Sequence, residues 1–470
     1  MAKKSKGGEL AVLNPYDGSI IETIDTHGSE NVEKALASAA SLYADRDSWL
    51  PLPRRIEILE QAVAIMRSTL EDLAMGIARE GGKPLADARV EARRAAVSLQ
   101  TCVECLRTEP GTVHPMNVDA GSANRLAFTQ NAPIGPVVAV SAFNHPLNLI
   151  VHQVGPAVAA GCPVIVKPAD DTPLSCLRFV DILREAGLPN EWCQPLILPN
   201  REDAEALVTD DRIAFFSFIG SAKVGWYLRS KLSPGTRCAL EHGGAAPVIL
   251  AEDSDQALAL ASILKGGFYH AGQVCVSVQR IFVPEAMARD FATKLAEGAQ
   301  KLVVGAATDA KTEVGPLIRP GEITRVDEWV QEAKSAGGEI LCGGTTVSDY
   351  CYAPTVIYDP PADVRVSQQE IFGPVLCVYP CKNLDEAIAR ANDVPFSFQA
   401  ALFTRDIDTA LRSFKRFNAS AVMVNDHTAF RVDWMPFAGL NVSGLGVGGI
   451  PHTLRDMQVE KMLVIKSDEI

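Results

Sequence analysis

Apolar positions along this chain follow two different spacings. Over residues 30–48 and 53–80 they recur every three or four residues, and Ile56, Leu59, Val63, Met66 and Leu70 share one face, which predicts amphipathic helices. Residues 136–141 (PVVAVS) are instead a short apolar, β-branched run, predicting a strand that leads through a Pro-containing loop into a helix near 148–160. A strand at 162–166 (CPVIV), a helix at 173–186 and a strand at 213–219 (IAFFSFI) ending at Gly220 continue the alternation. Strands apolar on both faces and separated by helices predict a parallel sheet covered on both sides.

The alternation then restarts. Residues 247–251 predict a strand, Ser254 is placed to cap a helix running towards His270, and 274–283 (VCVSVQRIFV) alternates like a strand. Helices at 286–300 and 321–336 and strands near 374–379 and 421–425 complete a second unit, while 111–131 reads as a β-hairpin or arm and 459–465 as a terminal strand. The expected fold is α/β: two doubly wound parallel-sheet domains plus a protruding β-arm. The expected boundaries are 1–111 and 133–243 for the first domain, 244–440 for the second, and 112–132 and 441–470 for the arm and C-terminal tail.

Composition narrows the function. The 470 residues carry 44 Lys+Arg against 57 Asp+Glu, a net charge of −13, which argues against binding nucleic acid or an anionic membrane surface. No apolar run approaches the roughly 20 residues a bilayer requires, and the basic N-terminus is not followed by an apolar core. A cytoplasmic protein with reduced thiols is therefore expected. The eleven cysteines are odd in number. Cys102 and Cys105, and Cys377 and Cys381, are spaced like zinc half-sites, but one pair falls in a helical stretch and the other in a strand. No metal is expected.

Five segments can carry chemistry. Cys275 lies just after Gly272, a natural helix stop, where an accessible thiol can act as a nucleophile. Glu241 precedes Gly243-Gly244, which leave its carboxylate open to act as a general base. Asn144, in Phe143-Asn144-His145-Pro146, follows a parallel strand, where its amide can stabilise an oxyanion. Gly220 and Ser221 open a helix that also contains Gly225, offering N–H groups to a phosphate. Lys167-Pro168-Ala169-Asp170 at a strand end, and Glu370 with Phe372, suit ribose hydroxyls and a ring face. Residues 444–449 (GLGVGG) match the dinucleotide pattern G-x-G-x-x-G, yet no strand is predicted before them and the match is set aside.

In this order and spacing the segments resemble the aldehyde dehydrogenase superfamily, from Asn14-Pro15 through Met435-Pro436-Phe437 to Ser443-Gly444. The resemblance implies that the first domain is cofactor-binding, the second catalytic and the β-arm a device for oligomerisation, in an enzyme that carries out NAD(P)-dependent, non-CoA-acylating oxidation of a small aldehyde as a homodimer or homotetramer. By matching motif, Cys275 would be the nucleophile and Glu241 the base, with Asn144 in the oxyanion hole. Phe143, Lys167, Pro168, Asp170, Gly220, Ser221, Gly225, Glu370 and Phe372 would hold the cofactor.

Asp170 stands where Glu is usual; it should still repel a 2′-phosphate, so NAD is expected over NADP. Ala142 replaces a frequent Pro, His242 a frequent Leu and Lys223 a frequent acid. His145, His427, Arg431 and Phe437 would line the substrate side. Arg431 and His427 can receive an anionic group, unless Arg431 pairs with Asp433. A small hydroxylated or anionic aldehyde is expected. A CoA-acylating or other thiol acyl-transferring enzyme, and a non-catalytic oligomeric scaffold, stand as alternatives.

Overall fold

Two parallel sheets organise the chain, in a computed structural model that describes residues 7–470. The first has six strands in the order Gly444–Leu445, Arg237–Glu241, Phe215–Ile219, Val137–Val140, Val164–Lys167 and Cys193–Pro195, all parallel except Gly444–Leu445. The second has seven, in the order Glu339–Cys342, Thr355–Tyr358, Val375–Cys381, Val278–Pro284, Ala246–Leu250, Gln399–Phe403 and Ala421–Val424, with Glu339–Cys342 antiparallel. The predicted apolar strands occupy inner positions of these sheets, where both faces are covered, except that the strand predicted near 421–425 is the edge strand Ala421–Val424 and is only partly buried. Gln399–Phe403 (QAALF) is fully buried too, but its alanines give no β-branched signature.

Element ends shift for local reasons. The predicted helix over 53–80 is two helices, Leu52–Ser68 and Leu70–Gly81. They part at Thr69, whose Oγ1 donates back to the Ile65 carbonyl at 2.9 Å. Asp255, not Ser254, caps Gln256–Phe268, accepting from the Ala257 and Leu258 N–H groups at 3.1 Å each. The strand predicted from 274 begins only at Val278, because Val274–Ser277 closes a turn with Ser277 N–H donating to Val274 O at 2.9 Å.

The predicted hairpin consists of Val113–His114 and Arg125–Pro133, and Gln458–Lys466 pairs antiparallel along the whole of Arg125–Pro133. The rest of 441–470 behaves differently from a tail. Gly444–Leu445 closes the first sheet, and Ile450–Asp456 buries Ile450 and Leu454 in the core beneath it. No helix among the described residues is long and apolar enough to cross a membrane.

Candidate active site

The ends of Val137–Val140, Phe215–Ile219 and Arg237–Glu241 open into a cleft of about 520 Å³, roofed by loops of the second sheet. Parallel sheets bind ligands at this end of their strands. Cys275, Glu241, Asn144, Phe143, His145, Gly220, Ser221, Glu370, Phe372, Arg431 and Phe437 all line it.

The chain reaches Cys275 through a tight turn. His270 and Ala271 are buried non-glycine residues with φ of 48° and 54°, a conformation that persists only where surroundings impose it. At Gly272, φ is 72° and a Cβ would lie 2.1 Å from the Gly373 carbonyl oxygen, so only glycine allows this approach. Of the eleven cysteines, only Cys238 and Cys275 are not fully buried. Burial pushes the Cys275 thiol up to about 12; Arg431 pulls it down, and Glu370 and Glu241 push it further up. Arg431 is thus the positive charge that favours a thiolate.

Asn144 is held beside that loop, its Nδ2 donating to the Gln273 carbonyl at 2.8 Å. Behind it, Glu91 accepts from the Leu147 and Asn148 N–H groups at 3.0 and 3.1 Å, capping the helix Asn148–Ala160. Glu91 is paired in turn with Lys83, both side chains being fully buried. His145 Nε2 lies 3.2 Å from the Tyr269 hydroxyl. Burial, and then the charges of Lys83 and Arg94, hold His145 well below the ordinary imidazole range, so it is neutral.

Glu241 ends its strand with the carboxylate against the backbone of Gly448, where a Cβ would fall 2.1 Å from Oε1. Gly448, within the 444–449 run, therefore makes room for Glu241. Burial raises the Glu241 carboxyl and Arg431 opposes the rise. Glu370 lies on the two glycines after Glu241. Gly244 N–H donates to it at 3.2 Å, and a Cβ on Gly243 would overlap its Oε1 at 1.6 Å. Burial lifts the Glu370 carboxyl to about 8. Phe372, with φ of 50°, meets Phe143 edge-on at 5.8 Å.

Some expected residues stand off the cleft. Lys167 donates to Asp170 Oδ1 at 2.8 Å and to the Pro168 carbonyl at 3.1 Å, and Ala169 and Asp171 are the cleft-lining members of that segment. Gly225 faces away from a ligand. A Cβ there would sit 2.0 Å from His242 Cε1, so this glycine admits the His242 imidazole. His242 Nδ1 is 2.9 Å from the Gly220 carbonyl and its ring packs on Phe218 and Trp226. His427, expected near the substrate, packs instead on Gly266, whose missing side chain leaves 2.5 Å between an added Cβ and His427 Cβ.

Arg431 does not pair with Asp433. Asp433 Oδ1 and Oδ2 accept from Arg94 at 2.6 and 3.0 Å, and Oδ1 also from His152 and Asn148 at 2.8 and 3.2 Å. Burial raises the Asp433 carboxyl, but His152 and Arg94 outweigh it and hold the group well below the ordinary range. No carboxylate among the described residues lies within ion-pair distance of Arg431. Its guanidinium stands 3.5 Å over the Phe437 ring and its Nε is buried without a partner. Arg94, Tyr269 and Trp329 also line the cleft and escaped the sequence reading. Nothing local to Arg94 signals a pairing with Asp433, 339 residues away.

This set offers a thiol nucleophile, an amide donor, a carboxylate base and an uncompensated cation. A model of the aldehyde dehydrogenase family matches residues 2–463. A 3-sulfolactaldehyde dehydrogenase of Priestia aryabhattai is 37% identical over 457 residues, 97% of this chain and 95% of that protein. Among solved structures, aldehyde dehydrogenase 21 of Physcomitrella patens in complex with the reaction product succinate superposes with a TM-score of 0.93 and 32% identity, covering 98% of this chain and 95% of that one. Glyceraldehyde-3-phosphate dehydrogenase of Methanocaldococcus jannaschii complexed with NADP gives a TM-score of 0.93 and 31% identity, covering 99% and 100%.

Proposed function

This chain belongs to the aldehyde dehydrogenase family, and from that premise we propose that it oxidises a small anionic aldehyde to the carboxylic acid through Cys275. The observation that carries the anionic preference is Arg431, a guanidinium in the cleft with no carboxylate at ion-pair distance among the described residues. The names of the three relatives support it: sulfolactaldehyde, succinate and glyceraldehyde 3-phosphate all bear an anionic group. A hydroxylated neutral aldehyde is the second choice, since Tyr269 and His145 add hydrogen-bonding groups to the same wall.

The residues suit a nicotinamide dinucleotide. Gly220 and Ser221 offer backbone and hydroxyl at the start of Ala222–Arg229, Glu370 offers a carboxyl for ribose hydroxyls, and Phe372 a flat face. When bound, such a cofactor supplies the hydride acceptor. The chain's own residues do the rest. The Cys275 proton passes by way of Glu241 to solvent, the sulfur adds to the aldehyde carbon, and Arg431 stabilises the thiolate. Asn144 and the Cys275 N–H stabilise the alkoxide of the resulting thiohemiacetal. Its collapse with loss of hydride leaves a thioester on Cys275. Glu241 then takes a proton from water, which attacks the thioester and releases the acid and the thiol. A base for water favours hydrolysis over acyl transfer to CoA.

NAD is the preferred cofactor in this reading, because the Asp170 carboxylate, although paired with Lys167, would repel a 2′-phosphate. A panel of succinic semialdehyde, glyceraldehyde 3-phosphate, lactaldehyde and hexanal tests the substrate class. Highest kcat/KM on an anionic member is expected, and highest on hexanal would discard the proposal.

A further inference from the structure

We propose that His152, one turn beyond the start of Asn148–Ala160 and outside the cleft lining, is the positioning residue that aims Arg431 at the substrate. The inference rests on the reading that Arg431 receives the substrate's anion. His152 is 4% exposed and lies between two partners. Its Nε2 is 2.8 Å from Asp433 Oδ1, and its Nδ1 is 3.4 Å from Arg431 Nη2.

The neighbours admit one tautomer. With the proton on Nε2, the ring donates to Asp433 and its Nδ1 lone pair accepts from the guanidinium. With the proton on Nδ1, two donors would face each other and a lone pair would face a carboxylate. A doubly protonated ring would set a second cation against Arg431, and burial keeps the ring neutral, with Arg431 and Arg94 adding to the effect while Asp433 opposes it. Ser98 Oγ also lies 3.3 Å from His152 Nε2, and because its proton goes to Asn148 it faces the ring as an acceptor, in agreement with this assignment. Ser98 Oγ donates to Asn148 Oδ1 at 3.1 Å, and Asn148 Nδ2 donates to Asp433.

The arrangement has a functional consequence. Arg94, His152 and Asn148 together occupy Asp433, so that carboxylate is not available to neutralise Arg431. His152 supplies Arg431 with a neutral acceptor in place of a charged one. The guanidinium is thereby fixed in orientation without a direct ion pair, with Glu241 and Asp433 acting on it only at longer range.

Alkylation of Cys275 reads this without any aldehyde. The rate ratio of iodoacetate to iodoacetamide reports the positive potential at the sulfur. Arg431→Gln should lower that ratio about tenfold, the effect of one poorly screened charge at close range. His152→Leu, which can neither accept nor donate, should lower it about threefold and raise KM for succinic semialdehyde more than it lowers kcat. His152→Gln, whose amide can do both, should recover most of the loss and provides a folded comparison if the leucine variant is unstable. A drop in Arg431→Gln with wild-type ratios in both His152 variants would overturn the positioning role and leave the anion reading intact. An unchanged ratio in Arg431→Gln would overturn both.

Discussion

Lys83 is the position at which a single substitution should travel furthest. It is fully buried and paired with Glu91, which is also fully buried and caps the helix that follows Asn144. Lys83→Met keeps the volume but leaves Glu91 as a buried carboxylate facing only two backbone N–H groups. Breaking one half of a buried pair costs about 3–5 kcal/mol. An unfolding entropy of about 2.1 cal/mol/K per residue gives roughly 1 kcal/mol/K for 470 residues, so the melting temperature should fall by about 4 °C if the chain unfolds as one unit. The activity should fall as well, since the cap sets the loop that aims the Asn144 amide. Lys83→Met/Glu91→Gln removes the stranded charge while keeping an acceptor for both N–H groups. Calorimetric melts should therefore place the double variant at least 2 °C above the single one. An unchanged melt for Lys83→Met, or a double variant no better than the single, would refute the reasoning.

Three further outcomes follow from the cleft. Gly225→Ala drives a Cβ into the His242 ring and should break its contact with Gly220, costing about 1–3 kcal/mol. Replacing His242 by Ala in the same chain should restore the melt, and no restoration would show that the clash lies elsewhere. Glu370 is raised to about 8 by burial, so the folded state holds its proton more tightly than the unfolded chain does. Its contribution is greatest below the ordinary carboxyl range and is lost as pH climbs towards 8. Glu370→Gln should gain stability over the native chain between pH 6 and pH 9, and a gap that stays constant contradicts this. Comparison of kcat/KM should favour NAD over NADP, with Asp170→Ser narrowing the difference; a native preference for NADP would remove Asp170 as the discriminating charge.

What could be read from the sequence was what local chemistry encodes. Cys275, Glu241 and Asn144 each sit at a strand or helix end marked by glycine or proline, and the structure gathers all three in one cleft. The apolar strands were legible because burial on both faces leaves no alternation to confuse. Long-range pairing was not legible. Nothing near Asp433 announces that Arg94 and His152 will claim it rather than Arg431. His427 shares a segment with Arg431, yet points elsewhere because Gly266 opens a space on a different helix. The glycines of 444–449 match a dinucleotide pattern without its context, and in the fold Gly448 makes room for Glu241 while Gly444 abuts the Leu240 carbonyl. Gln399–Phe403 was missed because alanine packs in a central strand without advertising it.

The most direct measurement is mass spectrometry of enzyme quenched in acid during turnover with succinic semialdehyde and NAD. An acyl adduct on the peptide carrying Cys275, accumulating in Glu241→Gln and absent from Cys275→Ala, is the predicted result. Turnover in Cys275→Ala at the native rate, or an adduct on another residue, would contradict it.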